Sequence, residues 1–125
     1  MIEGRQFAAA VTLNDEIFIF GGYDGQNVLN SCEVYNVKLN RWQHIAPMRK
    51  SRMKHSAVAH GDKIYVIGGV SDIRGGSVFS SVECYIPEKN LWMSAPDMPV
   101  GRFDHQCYVS NVGYKFLASV LEKSQ

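Results

Sequence analysis

The chain has 125 residues, 46% of them hydrophobic and 20% charged, and its formal net charge is +1. That length and composition fit one globular domain with a single core and exclude a disordered segment. The small net charge excludes the broad basic field of a nucleic-acid-binding domain, and no apolar run approaches the roughly 18 residues of a membrane span. We therefore expect that the protein neither binds nucleic acid nor associates with a membrane.

The predicted elements come in two copies of one pattern. Residues 5–22 align with residues 52–69 at an offset of 47, and residues 31–48 align with residues 81–98 at an offset of 50. The positions that agree include an arginine, a glycine pair, a glutamate, a tyrosine, an asparagine, a tryptophan and a methionine. The second copy is three residues longer after its glycines. Agreement at so many positions indicates an internal repeat.

Each copy predicts four short strands. In chain order they are FAAAV (7–11), IFIF (17–20), CEVYNV (32–37) and RWQHI (41–45), then HSAVA (55–59), IYVI (64–67), VECYIP (82–87) and LWMSA (91–95). Turns rich in Asn, Asp and Gly separate the first strand of each copy from the second. The second strand is apolar throughout, so we expect it to be buried on both faces. Four-stranded antiparallel units at a period near 50 residues are typical of propeller blades.

The order of the repeated residues resembles the Kelch repeat: Arg, apolar strand, double Gly, Glu-x-Tyr, a Trp seven residues after the Tyr, then Met and the next Arg. The stretch GGYDGQNVLNSCEVYNVKLNRWQHIAPM (21–48) is most similar to blades of BTB-Kelch (Kelch-like) proteins. The resemblance implies an all-β fold, a partial Kelch β-propeller with two four-stranded antiparallel blades and an incomplete third. In that family, about six blades close the ring.

The resemblance also predicts boundaries. We expect the end of a preceding inter-blade loop at 1–4, repeat 1 at 5–51, repeat 2 at 52–101, a partial repeat 3 at 102–117 and a divergent tail at 118–125. The third copy starts at Arg102, but Ala118 and Ser119 stand where its glycine pair would fall. Two blades and part of a third leave apolar faces without neighbours, so we expect the chain alone to be marginally stable.

Residues shared by the copies are expected to serve the scaffold. They are Arg5, Arg52, Arg102, Gly21, Gly22, Gly68, Gly69, Glu33, Glu83, Tyr35, Tyr85, Trp42 and Trp92. The glutamates are predicted partners of the arginines, because a partly buried charge needs a counter-charge. The aromatic rings could stack on bases or sugars, but their recurrence favours packing between blades. The glycines predict a turn that a side chain would block and not a phosphate cradle, since no helix follows them.

Binding is expected where the copies differ, in the blade-to-blade links and in the loops after the glycine pairs, 23–30 and 71–80. By resemblance, these segments form one partner-binding rim around the propeller channel. The predicted rim residues are Tyr23, Asp24, Asn27, Arg49, Lys50, Lys54, Arg74, Phe103 and Asp104. In the family, the position two residues after each repeat arginine often contacts a bound peptide; here it holds Phe7, Lys54 and Asp104. The basic residues would suit an acidic peptide, and a merely solvated charged loop is the alternative.

The sequence offers no catalytic or metal-binding pattern. The chain has three cysteines, Cys32, Cys84 and Cys107, which is an odd number, and no two of them have CxxC spacing. We therefore expect buried thiols in a reducing compartment and no disulfide or zinc site. His55 and His105 occupy equivalent blade positions, which indicates a shared structural or rim role. We therefore expect no enzyme activity, no metal and no cofactor. A fragment of a Kelch-type propeller enzyme is the least favoured alternative.

The expected function is protein–protein interaction. By resemblance, the chain would be the substrate-recognition part of a BTB-Kelch adaptor of a cullin-RING E3 ubiquitin ligase. It contains no BTB or BACK pattern, so a cullin would be reached only through a BTB domain absent from this chain. The alternative is an actin-associated, cytoskeletal Kelch protein. The expected location is the cytoplasm, with the cytoskeleton and the nucleus as alternatives.

Overall fold

A computed structural model describes residues 1–72, 74 and 77–96, and these form two four-stranded antiparallel sheets. Blade 1 contains β1 (Ala9–Leu13), β2 (Glu16–Tyr23), β3 (Val28–Asn36) and β4 (Arg41–Ile45). Blade 2 contains β5 (Ser56–His60), β6 (Lys63–Ile67), β7 (Val82–Ile86) and β8 (Leu91–Ala95). In each sheet the strands lie side by side in chain order, which is the arrangement of a propeller blade. The predicted all-β, partial Kelch propeller is confirmed for these two blades.

The tight turns follow from residues that tolerate positive φ. Asn14 and Asp15 join β1 to β2 with φ of 52° and 63°. A two-residue turn of this hand matches the twist of the flanking strands. Asn40 ends the β3–β4 turn and Asn90 ends the β7–β8 turn, with φ of 48° and 49°. Polar residues with short side chains therefore fix the register of both hairpins.

The loop predicted at 23–30 is shorter in the structure. β2 continues through the glycine pair to Tyr23, where Tyr23 pairs with Val28 of β3. A register shift between Phe20 and Gly22 is a β-bulge, which absorbs the glycines into the strand. The connection is thus only Asp24–Asn27. In blade 2, β6 ends at Ile67 before the glycines, and the longer connection is held by Val70, which bridges to Met53 and Val78.

The main core lies between the blades. One face of blade 1, its trailing face, places Phe18, Phe20, Cys32 and Val34 against the facing side of blade 2. That side, the leading face of blade 2, contributes Ile64, Val66 and Tyr85, all at 1% exposure or less. A smaller cluster of Tyr65, Ile67, Val82 and Cys84 lies on the other side of blade 2.

The two second strands differ in burial. All of Ile64–Ile67 in β6 is buried, as predicted, but Ile17 and Ile19 in β2 are only half-buried. Ile17 and Ile19 lie on the leading face of blade 1, which no preceding sheet covers among the described residues. The apolar sequence of β2 is therefore more buried on one side than on the other.

The described residues include no helix with the length and hydropathy to span a bilayer. The predicted third blade at 102–117 and the tail at 118–125 lie outside the described residues. The boundaries of the repeats stay predictions.

Candidate partner-binding rim

Each blade is anchored to its neighbouring link by a buried arginine–glutamate network. The Arg52 guanidinium donates to Glu83 Oε2 from Nε at 3.1 Å and from Nη2 at 2.9 Å. Its Nη1 donates to the carbonyls of Gly68 at 2.8 Å and Ser81 at 2.9 Å. The backbone N–H of Arg49 donates to Glu83 Oε1 at 2.7 Å. One carboxylate thus holds both the arginine and the inter-blade link in place.

Blade 1 repeats the network with equivalent residues. Arg5 Nη2 lies 2.7 Å from Glu33 Oε2, and Arg5 Nη1 donates to the carbonyls of Gly21 and Ser31. Glu33 also accepts the backbone N–H of Ile2 at 2.6 Å. Burial raises the Glu33 pKa, but the backbone hydrogen bonds and the Arg5 charge outweigh it and leave the pKa below its ordinary value.

The glycine pair makes room for the next link of the chain. A Cβ on Gly21 would lie 2.6 Å from the carbonyl oxygen of Arg52, and one on Gly22 would lie 2.6 Å from that of Gln6. Both glycines also have positive φ, 62° and 103°. Gly22 N–H donates to the Arg52 carbonyl at 2.8 Å. Side chains here would separate blade 1 from the link that carries rim residues.

Phe7 and Lys54 occupy equivalent positions, two residues after the repeat arginines, and lie side by side. Both have positive φ, 56° and 57°, which is uncommon for residues with a Cβ. Lys54 N–H donates to the Phe7 carbonyl at 3.0 Å, and Lys54 Nζ lies 5.1 Å from the centroid of the Phe7 ring. Phe7 is 46% exposed. An exposed aromatic ring beside an ammonium group is thus fixed between the two blades.

The basic residues of the second link have different partners. Lys50 Nζ lies 4.9 Å from the centroid of the Phe79 ring, over which Arg52 also lies at 5.3 Å. The Arg49 side chain instead donates to Ser94 Oγ on β8, the outer strand of blade 2. The predicted basic cluster is therefore divided: Lys50 and Lys54 each cover a phenylalanine, and Arg49 turns toward the outer strand.

The loop between β2 and β3 is ordered by its own polar groups. Asp24 Oδ1 accepts the N–H groups of Gln26 and Asn27, both at 2.8 Å. These hydrogen bonds, that of Asn27 first, hold the pKa of Asp24 below its ordinary value. Tyr23 OH donates to the carbonyl of Gly25 at 2.9 Å. Tyr23, Asp24 and Asn27 thus build one compact loop at the strand ends that carry the links.

The remaining predicted residues fall in two groups. Arg74 is exposed, and its N–H donates to Asp72 Oδ1 at 2.9 Å. Arg102, Phe103 and Asp104 lie outside the described residues.

The repeated aromatic residues lie on the leading faces of the blades. Tyr85 and Trp92 contact Phe20 of blade 1, with ring centroids 6.1 Å and 5.5 Å away. Burial raises the pKa of Tyr85 to about 12. Tyr35 and Trp42 pack on each other on the leading face of blade 1, with centroids 5.1 Å apart.

Sequence reasoning missed two parts of this arrangement. Phe79 contacts both Lys50 and Arg52, but its equivalent in the first copy is Leu29, so the repeat carried no signal for it. Asn90 recurs as Asn40, but recurrence alone does not indicate what its side chain contacts. It accepts the backbone N–H of Ala46 at 2.8 Å and so joins the blades.

The described part of the chain gives no catalytic arrangement. No three histidine, cysteine, aspartate or glutamate side chains converge there as a metal site requires. His55 Nε2 lies 2.7 Å from the carbonyl oxygen of Phe20, so this imidazole joins β5 to blade 1. Cys32 and Cys84 are free and buried, and burial raises the pKa of the Cys32 thiol to about 12.

Comparisons with known proteins agree with this architecture. Residues 2–117 match the KLHDC2/KLHL20/DRC7 Kelch-repeats domain. The structure titled "Structure of YjhT" superposes with a TM-score of 0.73 and 22% identity, over 86% of this chain and 32% of that one, which supports the fold.

Curated relatives are similar in sequence as well. Alpha-scruin of Limulus polyphemus is 35% identical over 94% of this chain and 13% of its own length. Beta-scruin of the same organism is 34% identical over 82% of this chain and 12% of its own, and human Kelch-like protein 38 is 34% identical over 75% and 16%. The chain thus spans about one eighth to one sixth of these relatives. With its two repeats folded as blades, the chain belongs to the Kelch-repeat family.

Proposed function

We propose that this chain is a protein–protein interaction module that binds a peptide segment at its rim. The observation that carries the proposal is the Phe7–Lys54 pair, an exposed ring and an ammonium group held together between blades by backbone of uncommon conformation. Exposed aromatic residues rimmed by charge are the usual anchors of protein interfaces. No cluster of metal-binding side chains competes with this role among the described residues, and we infer that the module is not an enzyme.

An acidic peptide suits this rim best. Lys50 and Lys54 contact the phenylalanine rings of Phe79 and Phe7 through their ammonium groups and no carboxylate neutralises either lysine within the described residues. The Asp24 carboxylate of the β2–β3 loop accepts hydrogen bonds from its own loop. A ligand carboxylate would therefore meet cations that already lie over apolar surface, and charge complementarity would steer it there.

In the whole protein, we place this module as the substrate-recognition part of a BTB-Kelch adaptor of a cullin-RING ubiquitin ligase that works in the cytoplasm. The support is the BTB-Kelch-like pattern of residues 21–48 and the similarity to Kelch-like protein 38. Free, buried Cys32 and Cys84 suit a reducing compartment. Contact with a cullin would need a BTB domain elsewhere in the protein.

Selection from a peptide library tests the rim. The full chain should enrich acidic peptides over neutral ones of equal length, and the double variant Lys50→Glu/Lys54→Glu should lose the enrichment. Lys38→Glu/Lys89→Glu is the matched control with the same change of charge, because both lysines are exposed on the β3–β4 and β7–β8 turns at the opposite strand ends. Acidic enrichment that survives in the double variant would remove this rim as the binding site.

The adaptor role has a separate test in the whole protein. Partners captured by it should be ubiquitylated in its presence, and Lys50→Glu/Lys54→Glu should reduce this without changing cullin binding. Co-sedimentation of the unmodified protein with actin filaments, without any ubiquitylated partner, would instead favour the cytoskeletal role.

A further inference from the structure

The link between the two blades carries a hydroxyl group that the equivalent positions of the chain lack. Ser51 directly precedes the repeat arginine of the second copy, and the same position holds Gly4 in the first copy and Gly101 in the third. A glycine has no side chain, so the link does not need a hydroxyl group here in order to fold. Because loop residues that are free of scaffold roles are the ones that carry function, this serine is a candidate for one.

Ser51 lies on a fixed stretch of backbone but makes no hydrogen bond of its own in the described part of the chain. It is partly exposed and lies outside every strand, between β4 and β5. On one side, the Lys50 N–H donates to Glu83 Oε2 at 3.3 Å. On the other side, the Arg52 N–H donates to the Leu29 carbonyl at 3.1 Å. The serine oxygen is thus accessible from solvent without the loss of any strand pairing.

The neighbouring side chains of the link are cations without a counter-charge. Arg49 and Lys50 are exposed, and Lys54 is partly exposed. No ion pair within the described residues includes any of these three. Glu83, the carboxylate that holds the link, is already in an ion pair and is only 4% exposed. An anionic group on the serine oxygen would therefore meet uncompensated positive charges.

We propose that Ser51 is a phosphorylation site for an ATP-dependent serine kinase selective for basic substrates, and that the modification closes the rim to acidic peptides. The γ-phosphoryl group of ATP is transferred to Ser51 Oγ, its bond to the β–γ bridging oxygen breaks, and ADP leaves. The hydroxyl proton passes to the base of the kinase. Arg49 and Lys50, exposed on the N-terminal side of the serine, supply the charges that an acidic kinase cleft attracts.

This regulation rests on the proposed acidic-peptide site. A phosphoserine carries roughly −1.5 to −2 charges at about pH 7, together with three strong acceptor oxygens. On Ser51, between Lys50 and Lys54 in the link, it pairs with the ammonium groups that a ligand carboxylate would otherwise meet, and it repels that carboxylate. Because two cations are lost to the phosphate, an acidic peptide should bind about tenfold more weakly.

Phosphate mapping by mass spectrometry tests the modification on the full 125-residue chain, incubated with ATP and a kinase selective for basic substrates. Phosphate should be found on Ser51, and Arg49→Gln/Lys50→Gln should slow its incorporation there. Ser77 is the internal control, because it is exposed and follows Arg74 by three residues, so the double variant should leave its rate unchanged. Phosphate on Ser77 with none on Ser51, or an unchanged rate at Ser51 in the double variant, would overturn the proposed site.

Fluorescence anisotropy with a fluorescein-labelled oligoglutamate peptide tests the effect on binding. The chain phosphorylated on Ser51 should bind this probe about tenfold more weakly than the unmodified chain, and Ser51→Glu should weaken it less, because it adds one charge. Ser51→Gln is the matched neutral control and should bind as the unmodified chain does. Equal affinity of the modified and unmodified chains would overturn the regulation alone. Absence of binding by the unmodified chain would overturn the acidic-peptide site and the regulation together.

Discussion

Arg52 and Glu83 are 0% and 4% exposed, so neither charge is hydrated. Burial of each ion alone is unfavourable by several kcal/mol, and only their mutual attraction and additional hydrogen bonds offset it. Here Glu83 accepts from the guanidinium and from the Arg49 and Lys50 N–H groups. Because the Glu83 carboxylate also orients the link that carries Lys50 and Lys54, Glu83 affects both the stability of the blade and the geometry of the candidate rim.

Glu83→Gln should therefore destabilise the chain strongly. The neutral amide leaves the Arg52 charge buried without a counter-charge, and breaking a buried pair in this way costs about 3 kcal/mol or more. Urea unfolding, followed by far-UV circular dichroism, measures the loss. Glu88→Gln, an exposed glutamate on the β7–β8 turn, is the control and should change the free energy of unfolding by less than about 0.5 kcal/mol. Equal losses in both variants would contradict the buried network.

Glu33 gives the same network a pH dependence. Its pKa lies below the ordinary 4.5, so the folded state binds a proton less readily than the unfolded state. The stabilisation from this carboxylate is complete above the unfolded pKa and is lost as pH falls through the folded pKa. The difference in unfolding free energy between the unchanged chain and Glu33→Gln should thus be large at about pH 7 and should shrink progressively as the pH falls below the ordinary value of 4.5. A difference that stays constant across this range would show that the ionised form is not the stabilising one.

At the level of strands and turns, much of the structure could be predicted from repeated residues. The β4 prediction matched its bounds, because Trp42 recurs as Trp92 and a proline follows each strand. The sequence predicts a longer β2–β3 connection than the structure has, because a glycine pair usually indicates the end of a strand. Here a β-bulge keeps Gly22 paired with Leu29. Rim contacts such as that of Lys50 with Phe79 join residues that do not recur in the two copies of the repeat. The sequence pattern alone could therefore not predict them.

The glycine pair should be intolerant of side chains. Gly21→Ala places a Cβ 2.6 Å from the Arg52 carbonyl oxygen, in addition to the strain of positive φ. Gly25→Ala is the matched control, since its φ is 103° but nothing lies within 4 Å of its Cβ. We expect about 1 kcal/mol for Gly25→Ala, from strain alone, and at least twice that for Gly21→Ala. Equal unfolding free energies for the two variants would mean that the link moves freely and that only the backbone angle matters.

Across the whole molecule, stability resides at the interface between sheets. Each blade has one row of small and β-branched residues next to Tyr and Trp, and that row is covered only where another blade supplies a surface such as Phe18 and Phe20. Repeat units of this kind derive their stability from contacts with neighbours. Equivalent residues of the two blades therefore lie in two different environments. Comparing the same substitution at both positions measures how much the interface between blades contributes to stability.

Ile17 and Ile64 are the pair that measures this interface. They occupy equivalent positions in β2 and β6, but Ile64 is 0% exposed against blade 1 and Ile17 is half-buried on the leading face. Ile64→Ala should cost about 3 kcal/mol, because it leaves a cavity between the blades, and Ile17→Ala about 1 kcal/mol. Since the isolated chain is expected to be marginally stable, both are measured by urea unfolding in a fixed concentration of a stabilising osmolyte. Losses of equal size would mean that a partner covers the leading face of blade 1 in solution, and dilution of the sample should then reduce the loss at Ile17 alone.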